Sequence, residues 1–303
     1  MLEGKRVAVV VPAYNETDRI AGVLSGLPSF VDLVIVVDDA SHDATSNVAT
    51  AAQPDAIVVR HSENRGVGAA IATGYRRAVA HGADIVVVMA GDGQMSPLDL
   101  ARIALPVARG RADYAKGDRM SHCDIQGSMP WPRLALGRLL SSLTRSATGM
   151  ATLSDSQCGF TAISRDAISS IDLDALYPRY GYPNDLLGLL TAARNRIVDV
   201  VVQPIYRGEK SGLRPWHVFA IAALVGRVYV RRRLKLLKPP APRVPPPVSA
   251  SSEHSRRLQA TLVASPAAKS GRGALYLVSP AGGRTLDPAR PRVPRRTRLF
   301  ERP

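Results

Sequence analysis

Asp92 and Gln94 are the residues whose types and spacing point most directly to chemistry. They follow five consecutive apolar residues, 85–89, and this short, mostly β-branched run predicts a buried strand of a parallel sheet. Glycines on both sides of Asp92 allow a sharp turn and the close approach of a ligand. Because ligands of open α/β sheets bind at the carboxyl ends of the strands, a carboxylate and an amide at this point are candidates to bind one. The alternative is that both residues only shape the turn before a helix that Ser96 and Pro97 predict.

Two other predicted strands also end in polar residues. The apolar run 7–11 leads into the loop 12–16, and the run 33–37 leads into the paired carboxylates Asp38 and Asp39. Two adjacent carboxylates repel each other, and one that points into a cleft is suited to accept hydrogen bonds from a nucleobase or a ribose. The alternative is a turn that caps the following helix. Because the carboxyl ends of parallel strands lie at one edge of a sheet, we expect all three polar segments to be close together.

Strands and helices alternate along the first part of the chain. Helices predicted at about 17–27 and 64–81 lie between the strands, together with a third strand at 56–60. This alternation predicts an α/β fold built from βαβ units, with a mostly parallel central sheet and flanking helices. The segment 64–68 places glycines at the start of a helix, but it lacks the lysine of a phosphate-binding loop and the spacing of a dinucleotide fingerprint. Nucleotide hydrolases and dehydrogenases are therefore disfavoured.

The positive charge is concentrated at the C-terminal end. The chain has 303 residues and a net charge of +15, and residues 231–303 hold 17 Lys or Arg against 3 Asp or Glu. The remainder is nearly neutral, so it carries no electrostatic nucleic-acid footprint and no nucleic-acid partner is expected. Two cysteines give neither a zinc spacing nor a disulfide framework, which is typical of a reducing compartment.

The composition changes twice after the α/β region. Residues 217–230 are mostly apolar and run into a basic segment, 231–235. Such a helix reaches about 21 Å against a hydrocarbon core of about 30 Å, so it is not expected to span a membrane. We expect either an interfacial helix with its basic flank on anionic lipid or a helix packed on the sheet. The predicted organisation is a globular domain at 1–215, this helix at 216–238 and a disordered Pro- and Arg-rich tail at 239–303.

Several stretches in order carry a family resemblance. VVVPAYNE, VVDDASHDAT, NRGVGAAIATGYRRA and VVMAGDGQMSP, followed by YAKGDRM, SDSQCGFTAIS, YGYPNDLL and PIYRGEKSGLRP, cover about residues 5–216. They resemble glycosyltransferase family 2, inverting enzymes with the GT-A nucleotide-diphospho-sugar transferase fold. Within that family they are most similar to polyprenyl-phosphate (dolichol-phosphate) hexosyltransferases. The resemblance implies a nucleotide-sugar donor, a polyprenyl-phosphate acceptor and a cytoplasmic protein peripheral at the inner face of the cell membrane.

The resemblance also implies which residues bind the nucleotide and its metal. Four positions match those that hold the base and ribose: Pro12, Tyr14, Glu16 and Asp39. Asp92 and Gln94 match positions that bind a divalent cation, Mg²⁺ or Mn²⁺, which bridges the diphosphate. Arg119 matches a basic position near the phosphates, and Arg207 and Lys210 match a later basic cluster that closes over them. These roles suit the residue types, because hard cations prefer oxygen ligands and Arg and Lys neutralise phosphates.

One position departs from the family pattern. Many relatives read D-x-D-G-Q here, whereas this chain has Ala90 in place of the first carboxylate. With one protein anion fewer, we expect the cation to be held more weakly and more by the diphosphate. A non-catalytic nucleotide-sugar-binding relative is therefore one alternative.

The expected reaction is attack of a polyprenyl-phosphate oxygen on the anomeric carbon, with inversion and departure of the nucleoside diphosphate. Asp92 with its metal, and the basic residues, would stabilise the leaving group. A phosphate nucleophile is already ionised near neutral pH and needs no strong base. A soluble enzyme with a hydroxyl acceptor is the other alternative; it would need a base, for which Asp155 and Asp185 are the candidates. Asp185 also suits a helix N-cap.

Overall fold

Short β-branched runs form the strands of a single central sheet. The structure, a computed structural model, describes residues 1–123, 125, 129–205 and 215–234. Within these residues, seven strands form a sheet in the order β3-β2-β1-β4-β6-β5-β7. The strands are β1 (Val7–Ala13), β2 (Leu33–Asp38), β3 (Ile57–Arg60), β4 (Ile85–Val88), β5 (Tyr114–Asp118), β6 (Thr161–Ser164) and β7 (Ile197–Val201).

Eight α-helices occur in the described part of the chain. They are α1 (Thr17–Ser25), α2 (Thr45–Ala52), α3 (Val67–Ala80), α4 (Leu100–Ala108), α5 (Trp131–Thr148), α6 (Arg165–Ser169), α7 (Tyr182–Ala192) and α8 (Pro215–Arg233). A 3-10 turn, Pro97–Asp99, precedes α4 and confirms the helix start predicted from Ser96 and Pro97. The described part belongs to one compact unit.

The sheet is mostly parallel, as predicted. β1 lies parallel to β2 and β4, β2 lies parallel to β3, and β5 lies parallel to β7. β6 runs antiparallel to both β4 and β5. Because β6 is reversed, the segment 154–160 that enters it meets the carboxyl ends of β4 and β5. The sheet therefore gathers loops after β1, β2, β4 and β5, and the loop before β6, at one edge.

Helices cover both faces of the sheet. One core contains α1, α2 and α4 side chains, and the other contains α3, α6 and α7 side chains. α3 packs especially closely, since a Cβ at Gly74 would lie 2.2 Å from Cγ1 of Val10. Burying each Val or Ile of the strands contributes roughly 1.5–3 kcal/mol, which makes the sheet a firm base for the loops at its edge.

The helices α5 and α8 form a separate layer beside α7. They pack on each other around a small cluster of buried residues: Leu140, Ala147, Ile221, Val225 and Val228. Close packing of α8 on α7 depends on Gly188, where a Cβ would lie 2.6 Å from Cγ2 of Val228. The C-terminal helix predicted from the apolar run 217–230 is thus present and extends beyond that run at both ends, over Pro215–Arg233. One of its faces packs on α5 and α7. In the described part of the chain, no helix has the length and apolar character needed to cross a membrane.

Candidate active site

The turn after β4 carries the predicted metal ligands. The backbone N–H of Gln94 donates to Oδ1 of Asp92 at 3.0 Å, which fixes the carboxylate over the turn. Gly93 has φ +71°, a conformation that glycine adopts readily, and the N–H of Gly91 donates to the carbonyl of Pro12 at 3.1 Å. The turn is therefore tied to the end of β1, and Asp92 is half-buried at the carboxyl edge of the sheet, as predicted.

The loops after β1 and β2 are joined by side-chain hydrogen bonds. Asn15 donates its N–H to Oγ of Ser41 at 2.9 Å, and its Oδ1 accepts the N–H of His42 at 2.8 Å. The N–H of Glu16 donates to Oγ1 of Thr45 at 2.8 Å. Asn15 has φ +56°, which Asn tolerates better than most residues. These contacts hold the predicted nucleotide-binding segment in one conformation.

This segment also carries an aromatic ring, that of Tyr14, and a carboxyl group, that of Glu16. Tyr14 is 41% exposed, and its ring makes a T-shaped contact with the His42 ring at a centroid distance of 6.2 Å. Burial raises the pKa of Glu16, the ion pair with Arg19 opposes that shift, and the negative charge of Asp92 adds to it. An exposed aromatic face is suited to stacking on a base, and the Glu16 carboxyl lies near enough to Asp92 to sense its charge.

Asp39 holds the loop that precedes α3. Its Oδ1 accepts the N–H of Arg65 at 2.9 Å and lies 2.7 Å from Nδ1 of His61, while its Oδ2 accepts the N–H of Gly66 at 2.7 Å. Asp39 is buried. Both carboxylate oxygens therefore have partners within the protein, and the predicted contact with base or ribose stays a prediction.

The glycines at the start of α3 allow two backbone segments to approach closely. The N–H groups of Gly68 and Ala69 donate to the carbonyl of Pro178 at 2.8 and 3.2 Å. A Cβ at Gly66 would lie 2.5 Å from that carbonyl oxygen, and a Cβ at Gly68 would lie 2.3 Å from the carbonyl oxygen of Tyr177. A protein carbonyl thus occupies the helix N-terminus where a phosphate-binding loop would hold an anion.

Arg119 forms a two-pronged ion pair with Asp155. Nε lies 2.7 Å from Oδ2, and Nη2 donates to Oδ1 at 3.1 Å. Burial alone would raise the pKa of Asp155, but the adjacent guanidinium outweighs burial and the pKa is lowered. Asp155 is fully buried, so it is placed to orient Arg119 and is a poor general base.

Lys116 is a buried charged residue that the sequence reasoning missed. It is fully buried in β5, and its Nζ donates to the carbonyl of Cys158 at 2.5 Å. Burial lowers its pKa, while the carboxylates of Asp155 and Asp199 oppose the shift. The segment 114–118 has no contiguous apolar run, so no local pattern in the sequence marks this lysine as buried. It holds the segment 154–160 against β5.

Asp185 is buried in the first turn of α7. Its Oδ2 accepts the N–H of Tyr177 at 2.8 Å, and its Oδ1 lies 2.6 Å from Nη2 of Arg227 on α8. The N-cap of α7 is Gly181, so the N-cap interpretation of Asp185 is wrong. The side chain instead links α7 to α8, and its role as a base stays a prediction that this geometry does not favour.

A cavity of about 320 Å³ lies between the sheet edge and the layer of α5 and α8. The sheet side of the cavity supplies its main polar groups, which are Asp92, Gln94, Arg119 and Gln157, next to apolar residues such as Val88 and Met95. The helix side supplies mostly apolar groups: Met120, Met129, Leu136, Leu140 and Ile221. Arg133 of α5 also lines the helix side, and nothing in the sequence reasoning singled it out. The cavity therefore suits a molecule with a charged part and a hydrocarbon part.

The residues around Asp92 partly fit a divalent cation. Asp92 and Gln94 both line the cavity and offer oxygen atoms, which Mg²⁺ and Mn²⁺ prefer. In the parts of the chain that the structure describes, no group of three or more His, Cys, Asp or Glu is arranged to hold a metal ion. A cation here would need ligands from a substrate and from water, in keeping with the alanine at position 90. Arg207 and Lys210, predicted to close over the phosphates, lie outside the described residues.

Comparison with known proteins identifies relatives for most of the described part of the chain. A family model described as Glycosyl transferase family 2 matches residues 8–172. The UDP-N-acetylglucosamine–dolichyl-phosphate N-acetylglucosaminyltransferase of Methanococcus voltae is 28% identical over 218 residues, covering 67% of this chain and 86% of that protein. The undecaprenyl-phosphate mannosyltransferase of Micrococcus luteus is 31% identical over 208 residues, covering 67% of this chain and 84% of that protein.

A solved structure shares the fold. Glucosyl-3-phosphoglycerate synthase from Mycobacterium tuberculosis, in complex with Mg²⁺ and UDP, is 25% identical with a TM-score of 0.53. The match covers 78% of this chain and 82% of that chain. The GT-A fold predicted from the sequence is confirmed.

Proposed function

The chain belongs to glycosyltransferase family 2, and on that premise we propose that it transfers a hexose from a UDP- or GDP-sugar to a polyprenyl phosphate. The observation that carries this proposal is the cavity, in which Asp92 and Arg119 face a wall of Leu and Met side chains. The relatives that act on dolichyl phosphate and undecaprenyl phosphate support the same class of acceptor.

The sheet side of the cavity would bind the donor. The exposed face of Tyr14 and the loop after β2 would hold the nucleoside, and Arg119, oriented by Asp155, would contact the diphosphate. Asp92 and Gln94 would hold Mg²⁺ or Mn²⁺ together with the diphosphate, and such a cation would neutralise charge on the departing nucleoside diphosphate. The solved structure with Mg²⁺ and UDP supports this use of the fold. Arg207 and Lys210 are proposed to complete the phosphate contacts.

The helix side of the cavity would bind the acceptor. Arg133 is placed on α5 beside Leu136 and Leu140, so its guanidinium would contact the acceptor phosphate while the first isoprene units lie on the apolar residues. An acceptor phosphate oxygen forms a bond to the anomeric carbon as the bond to the diphosphate oxygen breaks, with inversion. An ionised phosphate needs no protein base, which suits the burial of Asp155 and Asp185 in ion pairs.

The proposal places the protein at a membrane surface, because a polyprenyl chain resides in the bilayer. Nucleotide sugar would reach it from the cytoplasm, and the protein would act peripherally at the inner face of the membrane. The segment 216–238 is proposed to contact the interface through its apolar residues and its basic flank.

A panel of UDP- and GDP-sugars, incubated with and without polyprenyl phosphate, tests the function directly. Mass spectrometry of the lipid fraction should show a polyprenyl phosphohexose with one donor. If the hexose is transferred only to water or to soluble sugars, the proposed lipid acceptor is wrong and the acceptor is a hydroxyl group. If the protein binds a nucleotide sugar but transfers nothing, it is a non-catalytic relative. The absence of a carboxylate at Ala90 would then explain the lost activity.

A further inference from the structure

The layer of α5 and α8 is firmly attached to the rest of the protein. Its inner residues form a buried cluster, and the ion pair between Arg227 and Asp185 fixes α8 to α7. Arg232 near the end of α8 also donates to the carbonyl of Ser146 on α5 at 3.3 Å. The two helices therefore form one packed layer rather than two independent elements.

The outer surface of this layer carries large apolar groups. Six large apolar side chains on the two helices are between 42% and 79% exposed: Trp131, Leu139, Leu143, Phe219, Tyr229 and Val230. On α5, Trp131, Leu139 and Leu143 are spaced by multiples of four residues, which places them along one side of the helix. Exposed apolar groups in this number on neighbouring helices are typical of an interaction surface rather than of scattered surface residues.

The charges around this surface have one sign. Neither Trp131–Thr148 nor Pro215–Arg233 contains an Asp or Glu. Arg138 and Arg145 are exposed on α5, and Arg231, Arg232 and Arg233 end α8. An apolar surface edged by arginines complements an anionic lipid headgroup layer. A second copy of the same surface is a poor partner, because a symmetric contact would bring the arginines of both copies together.

We propose that the outer faces of α5 and α8 together form one bilayer-contact surface that docks on anionic lipid, with Trp131, Leu139 and Leu143 of α5 inserted beside α8. The inference rests on the proposed function for its biological meaning. The inner faces of the same helices supply Leu136, Leu140 and Ile221 to the cavity. Docking through this surface therefore brings the helix side of the cavity next to the lipid in which the acceptor chain lies.

Tryptophan fluorescence gives a direct test. The chain has two tryptophans, so a Trp216→Phe variant of the full chain leaves Trp131 as its only reporter. Vesicles of phosphatidylglycerol and phosphatidylcholine carrying brominated acyl chains should quench Trp131 and shift its emission to the blue. The basic C-terminal sequence attracts anionic vesicles by itself, so quenching at α5, rather than binding, is the deciding measurement. Vesicle binding without quenching would overturn the proposal.

A pair of substitutions separates α5 from α8. Leu139→Ser with Leu143→Ser should weaken vesicle binding about tenfold, and Phe219→Ser with Val230→Ser should do the same. Val201→Ser, on an exposed position of the sheet edge strand β7, is the matched control and should leave binding unchanged. Loss of binding only with the α8 pair would show that α8 acts alone and would overturn the two-helix surface. A concentration-dependent dimer in analytical ultracentrifugation that the α5 pair abolishes would instead assign the surface to a second copy.

Activity assays keep this inference distinct from the proposed function. With a short, water-soluble polyprenyl phosphate, the α5 pair should turn over like the wild type, whereas transfer to a long-chain acceptor in vesicles should fall about tenfold. Equal transfer by both proteins in vesicles would count against the surface. Quenching of Trp131 with no transfer to any polyprenyl phosphate would support the surface and refute the proposed function.

Discussion

The sheet side of the cavity is made of loops at one edge of the sheet, whereas its helix side is made of α5, α8 and two methionines, Met120 and Met129, that precede α5. On the sheet side, hydrogen bonds such as those from Asn15 to Ser41 and from Gln94 to Asp92 fix the polar groups. On the helix side, Met120 and Met129 are flexible side chains, and Leu136 and Ile221 come from elements far apart in sequence. The donor would therefore be held by preorganised polar contacts and the acceptor by adaptable apolar packing.

The largest effect should come from the polar turn of the sheet side. Asp92→Asn removes the anionic oxygen that would hold the metal and diphosphate, and kcat should fall about 100-fold or more, as when one stabilising group is lost from a charged transition state. Asp174→Asn, at an exposed carboxylate on the surface, is the matched control. Thermal unfolding should be nearly unchanged in both variants. Near-normal transfer by Asp92→Asn would break the assignment of this turn to the donor.

The contrast between the two sides also explains which parts the sequence predicted. β1, β2 and β4 and the loops after them could be predicted because each is a contiguous apolar run followed directly by polar residues. The reversal of β6 could not, because strand direction depends on pairing with β4 and β5 rather than on local pattern.

Long-range contacts account for the remaining differences. Lys116 reaches the carbonyl of Cys158, 42 positions away, and Asp185 reaches Arg227 on another helix. No local pattern encodes these partners, so the sequence alone predicts a base or a helix N-cap at Asp185. α5 was not predicted either, since its exposed side mixes Trp and Leu with Arg and Ser and obscures the helical period.

A smaller loss of activity is expected from changing Arg119, the positively charged side chain on the sheet side of the cavity. Arg119→Lys keeps the charge but cannot form both contacts with Asp155, so kcat/KM should fall roughly 10- to 100-fold. Arg196→Lys is a close control, because Arg196 makes the same two-pronged contact with Asp113 at an exposed site. Steady-state kinetics with one donor would give kcat/KM for both variants. Equal losses would show that the Arg119 pair is only structural.

Substitutions on the helix side of the cavity should change the affinity for the acceptor alone. Leu136→Gln places an amide among the apolar residues of the cavity, so KM for a short polyprenyl phosphate should rise about tenfold while KM for the donor stays constant. Leu139→Gln changes an outward-facing leucine of the same helix and should leave both constants unchanged with this soluble acceptor. A rise in the donor KM with Leu136→Gln would break the division of the cavity into two sides.

The smallest effect concerns the buried charge beneath the sheet side. Because burial lowers the pKa of Lys116 in the folded protein, the unfolded chain holds this proton over a pH range in which the folded protein has lost it. Folding stability contributed by this group therefore rises with pH from the folded pKa up to the ordinary lysine value. Urea unfolding of the wild type and of Lys116→Met between pH 7 and about 10.5 should show the wild type gaining stability relative to the variant at the alkaline end. Lys5→Met, at an exposed lysine, should run parallel to the wild type, and a parallel curve for Lys116→Met would show that burial of this charge has no energetic consequence.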